Sequence, residues 1–346
     1  MKRLPPGRVM IDLEGFEIGD AERSRLLHPA CGGVILFTRN YRHREQLQSL
    51  CREIKSLREP ALLIAVDHEG GRVQRFRDGF SRLPPMRSIG ELWDRDRKGA
   101  NALAHDAGQV IGTELGACGI DFSFAPVLDV DHGCSTVIGD RAFHSSSTAI
   151  IELARSFIAG LRACGMAAVG KHFPGHGGVA ADTHLDMAVD HRGLAEIERT
   201  DLLPFAALCK GELAGVMPAH VVYDKVDAHP AGFSEFWLRS ILRERLGFNG
   251  VVFSDDLSMR AAGIAGDAPL RANAALTAGC DIALVCNAPD DAQAVLDSRE
   301  RAQDTLELSR LQTLYRQPAS QSAEPGYAAA RQRIAELDVR ETTRSG

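Results

Sequence analysis

Residues 165–184 read Gly-Met-Ala-Ala-Val-Gly-Lys-His-Phe-Pro-Gly-His-Gly-Gly-Val-Ala-Ala-Asp-Thr-His. A glycine of the kind that closes a helix is followed by a short apolar run, Met166–Gly170, which stops at Lys171. The pattern predicts a buried strand entered from a helix and left into a loop. Pro174, Gly175, Gly177 and Gly178 deny the loop any regular structure. Ionisable residues crowd it: Lys171, His172, His176, Asp182 and His184. Polar groups gathered at the end of a buried strand mark a reaction site carried by a scaffold.

The same unit recurs along the chain. Further strands are expected at Val9–Leu13, Gly33–Phe37, Leu62–Val66, Phe122–Leu128, Gly215–Met217, Val251–Phe253 and Ile282–Val285. Helical patterns lie between them at Arg42–Leu57, Ala100–Cys118, Thr148–Cys164, Leu194–Lys210, Glu235–Leu246 and Pro269–Ala278. Gly119, Gly165, Gly211, Gly247 and Gly279 each follow a helical pattern and precede a strand, as C-terminal caps do. Strands alternating with helices pair in parallel through right-handed crossovers. Eight of them fit a single-domain (β/α)8 TIM-type barrel better than an open doubly wound sheet, and no strand leads into a Gly-x-Gly-x-x-Gly turn. The barrel is expected over residues 1–316, with a helix-like stretch at 290–315. A Pro/Ser/Gln-rich linker at 317–326 and a short helix at Tyr327–Leu337 would form a C-terminal tail.

Composition narrows the function. The 346 residues carry a formal net charge of −6, which excludes a global basic field for nucleic acid. None of the eight cysteines forms a Cys-x-x-Cys pair, so neither a zinc ribbon nor a redox dithiol is expected. The start lacks the apolar core of a secretory signal, and no uncharged run approaches the roughly 18 residues of a spanning helix. The expectation is a reduced, cytoplasmic, monomeric protein that binds neither membrane nor nucleic acid.

In a barrel, chemistry lies at the C-terminal strand ends. Five consecutive strands deliver polar residues there. The third ends in Asp67-His68-Glu69-Gly70-Gly71-Arg72 with Arg75 beyond, and the fourth in Asp129-Val130-Asp131-His132 with Arg141 beyond. The fifth ends in Lys171-His172, the sixth in Pro218-Ala219-His220 and the seventh in Ser254-Asp255-Asp256. Each has a plainer reading. Asp255 and Asp256 suit a helix cap, Asp129 and Asp131 suit turns, His220 suits a core, and Arg75 and Arg141 suit surface ion pairs. Lys171 resists such a reading, because burying its ammonium without a partner is costly.

Three chemistries fit the residues. Metal-dependent hydrolysis would use His172, His176 and His184 with Asp67 or Asp255, but the 172/176 spacing suits zinc only on a helix, which Pro174 and Gly175 forbid. A Schiff-base enzyme would use Lys171. Glycoside hydrolysis would use Asp255 as a rigid carboxylate nucleophile, with Asp182 and His184 as a carboxylate–imidazole pair for proton transfer. A non-catalytic sugar-binding barrel would need neither Asp255 nor that pair.

Lys171-His172-Phe173-Pro174-Gly175-His176-Gly177 followed by Asp182-Thr183-His184 resembles the signature of family 3 glycoside hydrolases, in their β-N-acetylhexosaminidase branch. Phe253-Ser254-Asp255-Asp256-Leu257-Ser258-Met259 resembles the nucleophile motif of that branch. Asp67-His68-Glu69-Gly70-Gly71-Arg72-Val73 and Gly139-Asp140-Arg141-Ala142-Phe143 are similar to further motifs, in the same order, across residues 9–290. The family's Asp-Ser-His reads Asp182-Thr183-His184 here, which keeps the hydroxyl. The second α/β domain of the β-glucosidase branch is not expected in these 346 residues.

The resemblance implies a retaining exo-β-N-acetylglucosaminidase of peptidoglycan recycling in the bacterial cytoplasm. Its substrate would be muropeptides in which N-acetylglucosamine is joined to 1,6-anhydro-N-acetylmuramic acid. Asp255 would be the nucleophile and His184 the proton donor and acceptor, with Asp182 as its partner. Asp67, Arg75, Arg141, Lys171 and His172 would hold the sugar. No cofactor and no metal are implied.

Overall fold

A computed structural model describes residues 2–180, 188–302, 308–318 and 323–342. Eight parallel strands close into a barrel: β1 (Val9–Asp12), β2 (Cys31–Leu36), β3 (Leu63–Val66), β4 (Phe122–Ser123), β5 (Ala167–Phe173), β6 (Gly215–Pro218), β7 (Val251–Asp256) and β8 (Ile282–Val285). Chain order is ring order, closed by β8 on β1 (Ala283 opposite Val9). The (β/α)8 expectation is therefore met, and all eight strands overlap the segments read from the sequence. The five cap glycines all adopt positive φ, from +71° to +132°.

Apolar runs become strands because both faces are covered. Phe122 and Phe124 from the β4 segment meet Phe253 of β7 across the barrel, with ring centroids 5.1–5.5 Å apart and two of the three contacts edge-on. The three rings are fully buried and plug the interior beneath the strand ends. Of the eight cysteines, all but Cys134 are buried, in keeping with a small apolar residue. No described helix is long and apolar enough to cross a membrane.

Three local expectations shift, each for a physical reason. The strand expected over Phe122–Leu128 is regular only at Phe122–Ser123. Pro126 has no N–H to give, yet the carbonyls of Ala125 and Pro126 still accept from Val169 and Lys171 of β5, and Val127 bridges to Lys171. The helix expected over Leu194–Lys210 breaks into Leu194–Arg199 and Leu202–Leu208. Pro204 cannot bond back to Thr200, whose carbonyl takes the Ser147 hydroxyl instead, at 2.8 Å.

The C-terminal helix is the third. It runs over Ala323–Thr342, well beyond Tyr327–Leu337, and begins inside the stretch read as linker. It packs on the Arg97–Ala117 helix, where Ala330 and Ile334 are buried and Arg333 pairs bidentately with Asp106 at 2.6 and 2.7 Å. A docked apolar stripe lengthens a helix that its local sequence supports only weakly.

The aromatic plug should dominate the stability of the barrel. Phe122→Ala is expected to cost about 3–5 kcal/mol, since the rings of Phe124 and Phe253 cannot both collapse into the void. Urea denaturation with an unchanged m-value checks this. A loss below about 1 kcal/mol would show that the interior repacks freely.

Candidate active site

The strand ends of the barrel open into a cleft of about 560 Å³. Asp67, Arg75, Arg141, Lys171, His172 and Asp255 all line it, together with Glu69, His176, Met217, Asp256, Met259 and Asn287. Thus six of the eight residues singled out in the sequence come together. Asp182 and His184 lie outside the described residues.

Lys171 and His172 are the fifth and sixth residues of β5, and the peptide between them is cis. Lys171 is 2% exposed. Its ammonium reaches Asp67 at 2.7 Å and Glu69 at 2.6 Å, so the buried charge is paired twice. Asp67 follows β3 directly, and Glu69 sits in the first arm of a short antiparallel hairpin, His68–Gly70 with Val73–Gln74. In extended chain, residues two apart face the same way, which brings both carboxylates to one side. Arg141 lays a fork on Glu69 at 2.9 and 2.8 Å, so it is no surface ion pair. Arg75, at the hairpin's exit, stands 3.6 Å from Asp67.

Burial alone would raise the Glu69 carboxyl, but Arg141 and Lys171 outweigh it and hold Glu69 well below the usual carboxylate range. The same fork drives Arg141 upward, against its own burial.

Asp129 is fully buried and is not a turn residue. It accepts from the His172 ring at 2.7 Å, and from the backbone N–H groups of His172 at 3.2 Å and His176 at 2.7 Å. It therefore fixes the orientation of the His172 ring and the path of the chain after it. Asp131 does behave as a turn residue, accepting the Gly133 N–H at 2.8 Å and pairing with Arg87. At Gly177 a side chain is excluded, because a Cβ would lie 1.8 Å from the Val130 carbonyl oxygen. His220, expected as a reaction or core residue, is buried, stacks on Phe233 and bonds to the Asp256 carbonyl at 3.2 Å.

Asp255 and Asp256 end β7. Asp256 accepts from the Ser258 N–H, the Ser258 hydroxyl and the Cys286 N–H at 3.0, 2.7 and 3.0 Å, a turn-holding role. Asp255 accepts the Asp256 N–H at 2.8 Å. Among the described residues it has no cation within ion-pair distance, whereas Asp67, Glu69 and Asp129 are all engaged. Burial pushes the Asp255 carboxyl up, but the fields of His220 and His172, the Asp256 N–H and Lys171 outweigh it, and its pKa falls below the ordinary 3.8. The cleft thus presents an ionised, uncommitted carboxylate opposite a fixed array of donors.

Two residues outside the set singled out in the sequence are central: Glu69, quoted there only within its strand-end motif, and Asp129, read there as suited to a turn. The period-two relation of Glu69 to Asp67 carried the signal for the first. Nothing local distinguishes Asp129 from a turn aspartate, because its partners lie 43 and 47 residues away.

The pattern for the glycosyl hydrolase family 3 N-terminal domain matches residues 9–314. The β-hexosaminidase of Nitrosospira multiformis is 52% identical over 339 residues, covering 96% of this chain and 97% of its own length. That of Thioalkalivibrio sulfidiphilus is 55% identical over 309 residues, 89% of each chain. The crystal structure of NagZ from Neisseria gonorrhoeae in complex with N-trifluoroacetyl-D-glucosamine superposes with a TM-score of 0.90 at 46% identity, over 97% of this chain and 99% of that one.

The Glu69 cluster predicts a pH signature. A carboxylate whose pKa is depressed on folding stabilises the protein above its unfolded value, here 4.5, and that contribution is lost as pH falls. Glu69→Gln takes from Arg141 its paired carboxylate and leaves Lys171 with Asp67 alone, and should cost about 3–5 kcal/mol at pH 7. The gap between parent and variant should narrow steadily below pH 4.5, read by denaturant titration across pH. A gap that stays constant from pH 7 to pH 3 would show that charge is not what Glu69 contributes.

Proposed function

The chain belongs to glycosyl hydrolase family 3 and is a β-N-acetylhexosaminidase, and from that premise we propose that it is a retaining exo-enzyme whose nucleophile is Asp255. The observation that carries this reading is the contrast among the rim carboxylates. Asp67, Glu69 and Asp129 are committed to Lys171, Arg141, Arg75 and His172, while Asp255 keeps its charge and a lone pair free.

In this mechanism Asp67, Arg75, Arg141, Lys171 and His172 hold the non-reducing N-acetylglucosamine by its hydroxyl groups. A fork of donors beside carboxylates suits a polyhydroxyl ring. Asp255 attacks the anomeric carbon from one face as the aglycone oxygen leaves from the other with a proton from His184, which Asp182 orients. Water deprotonated by His184 then attacks the glycosyl–Asp255 ester, and two inversions give net retention. Strand β7 supplies a rigid mount for the nucleophile, which positioning catalysis requires. The field that depresses the Asp255 pKa keeps it ionised at any pH at which His184 is useful as an acid.

We infer further that the natural substrates are peptidoglycan fragments, N-acetylglucosamine joined to 1,6-anhydro-N-acetylmuramic acid, cleaved in the cytoplasm by a monomeric enzyme. The sequence motifs of residues 171–184 and 253–259 support this reading.

Asp255→Ala should reduce kcat by a factor of about 10⁴ or more while leaving N-acetylglucosamine binding within about threefold. Incubation of the parent with an activated 5-fluoro-N-acetylglucosaminyl fluoride should add one sugar mass to the peptide containing Asp255. Retained turnover in the variant, or release of a free oxazoline with no label on the protein, would remove Asp255 from the nucleophile role and point to the substrate's own amide.

His184→Ala should slow cleavage of the natural disaccharide at least about 100-fold more than that of an aryl glycoside with a good leaving group, which needs little protonation. Equal losses on both substrates would make His184 a structural residue. On a chromogenic panel, β-N-acetylglucosaminide should exceed β-glucoside by about 100-fold or more in kcat/KM, since a site built to hydrogen-bond the acetamido group rejects an analogue lacking it.

A further inference from the structure

Glu114 is a buried carboxylate on the Arg97–Ala117 helix, outside the cleft. Donors from three separate parts of the chain converge on it. The Ser81 N–H approaches at 2.9 Å and the Ser81 hydroxyl at 2.7 Å. The Tyr327 hydroxyl, from the C-terminal helix, donates at 2.6 Å. Arg44 pairs at 3.3 Å and lays its guanidinium 4.5 Å over the Phe80 ring.

From Ser81 the connection runs to the cleft. The Ser81 carbonyl accepts from the Gln74 side chain at 2.8 Å, and Gln74 in turn accepts the Leu83 N–H at 3.0 Å. Gln74 is in the second arm of the hairpin whose first arm holds Glu69 and whose flanks are Asp67 and Arg75. The Leu83 carbonyl accepts the Gly71 N–H at 3.0 Å. The hairpin also lies flush on this segment: a Cβ on Gly70 would stand 2.6 Å from the Pro84 carbonyl oxygen, and one on Gly71 2.9 Å from Pro85. Phe76 and Phe80 close the gap against His68, with centroids 5.8 and 5.7 Å away. A shift of residues 81–85 has no slack in which to dissipate before it reaches Asp67 and Arg75.

We propose that Glu114 is a positioning residue for substrate, fixing the Asp67/Arg75 hairpin through Ser81, and that the C-terminal helix belongs to this device through Tyr327. The proposal rests on the reading of Asp67 and Arg75 as sugar-holding residues. It assigns the tail a part in substrate binding although it packs on the outer face of the barrel.

The test is steady-state kinetics of the full-length chain on a chromogenic β-N-acetylglucosaminide. Tyr327→Phe and Ser81→Ala each delete one hydroxyl and no volume that the core needs. Both should raise KM about three- to tenfold with kcat within about twofold, the mark of lost ground-state positioning. Arg333→Gln serves as the control, because it loosens the same helix at Asp106 without touching Glu114. Its KM should stay within about 1.5-fold of the parent.

An unchanged KM in both hydroxyl variants would overturn the proposal. So would an equal rise in Arg333→Gln, since undocking of the helix alone would then explain the effect. Asp67→Asn, run alongside, separates the two layers of the argument. If it leaves KM unchanged, the hairpin does not hold sugar and the underlying reading fails. If it raises KM while Tyr327→Phe and Ser81→Ala do not, the positioning proposal alone fails.

Discussion

The site is organised around one constraint: Lys171 is buried at a strand end and must be neutralised there. Its ammonium is compensated by Asp67 and Glu69, and Glu69 in turn binds Arg141. Removing a charge from water costs several kcal/mol, recovered only when geometry is close and further bonds satisfy the rest of each group. Here every member has at least one close partner. The cluster therefore ties β3, β5, the hairpin after β3 and the loop carrying Arg141 into one rigid unit. Its members still have donor and acceptor capacity directed at the cleft they line. An array assembled for electrostatic necessity is, in the proposed function, the one that meets a ring of hydroxyl groups.

Rigidity is distributed unequally across that rim, and function follows the distribution. Residues mounted on β5 and β7 have backbone partners on both sides, so their side chains start from fixed points. Asp129 adds a second layer of order beneath β5, holding the His172 ring and the chain at His176. Glu114 does the same for the hairpin from the outside. In each case a buried carboxylate accepts several N–H or O–H donors that would otherwise go unsatisfied. The fold uses carboxylates as struts that hold other groups still, and in the proposed mechanism as the reactive group as well.

Much of this was legible in the sequence because alternating strands and helices leave periodic traces. The eight apolar runs, the glycines that close helices and the polar residues after each strand follow from local rules. The places where the reading slipped are those set by distant partners. Pro204 breaks a helix that its apolar periodicity supports, and the freed carbonyl is taken by Ser147, 53 residues earlier in the chain. The C-terminal helix extends because Ala330, Ile334 and Arg333 find a surface on the Arg97–Ala117 helix, which no window of sequence contains. Asp129 looked like a turn residue for the same reason. The roles proposed for Asp182 and His184 rest on motif resemblance, where spacing alone left three chemistries open.

The adjacent pair Asp255 and Asp256 shows how environment, rather than residue type, assigns a role. Both carboxylates close the same strand and line the same cleft. Burial raises the Asp256 carboxyl to about 6; the bonds from Ser258 and Cys286 oppose the rise, and the negative charge of Asp255 adds to it. Asp255 also loses hydration, but the fields of His220, His172 and Lys171 reverse the sign and leave it ionised. Two like charges on neighbouring residues raise each other's pKa, and the surroundings make Asp255 the more acidic of the two. Among the described residues Asp255 accepts only the Asp256 N–H, so most of its lone pairs remain uncommitted. The other is occupied by the turn that follows, and Ser258 makes that occupation possible with both its N–H and its hydroxyl. Ser258 thus holds Asp256 in the turn, and in the proposed mechanism that leaves Asp255 as the carboxylate that reacts.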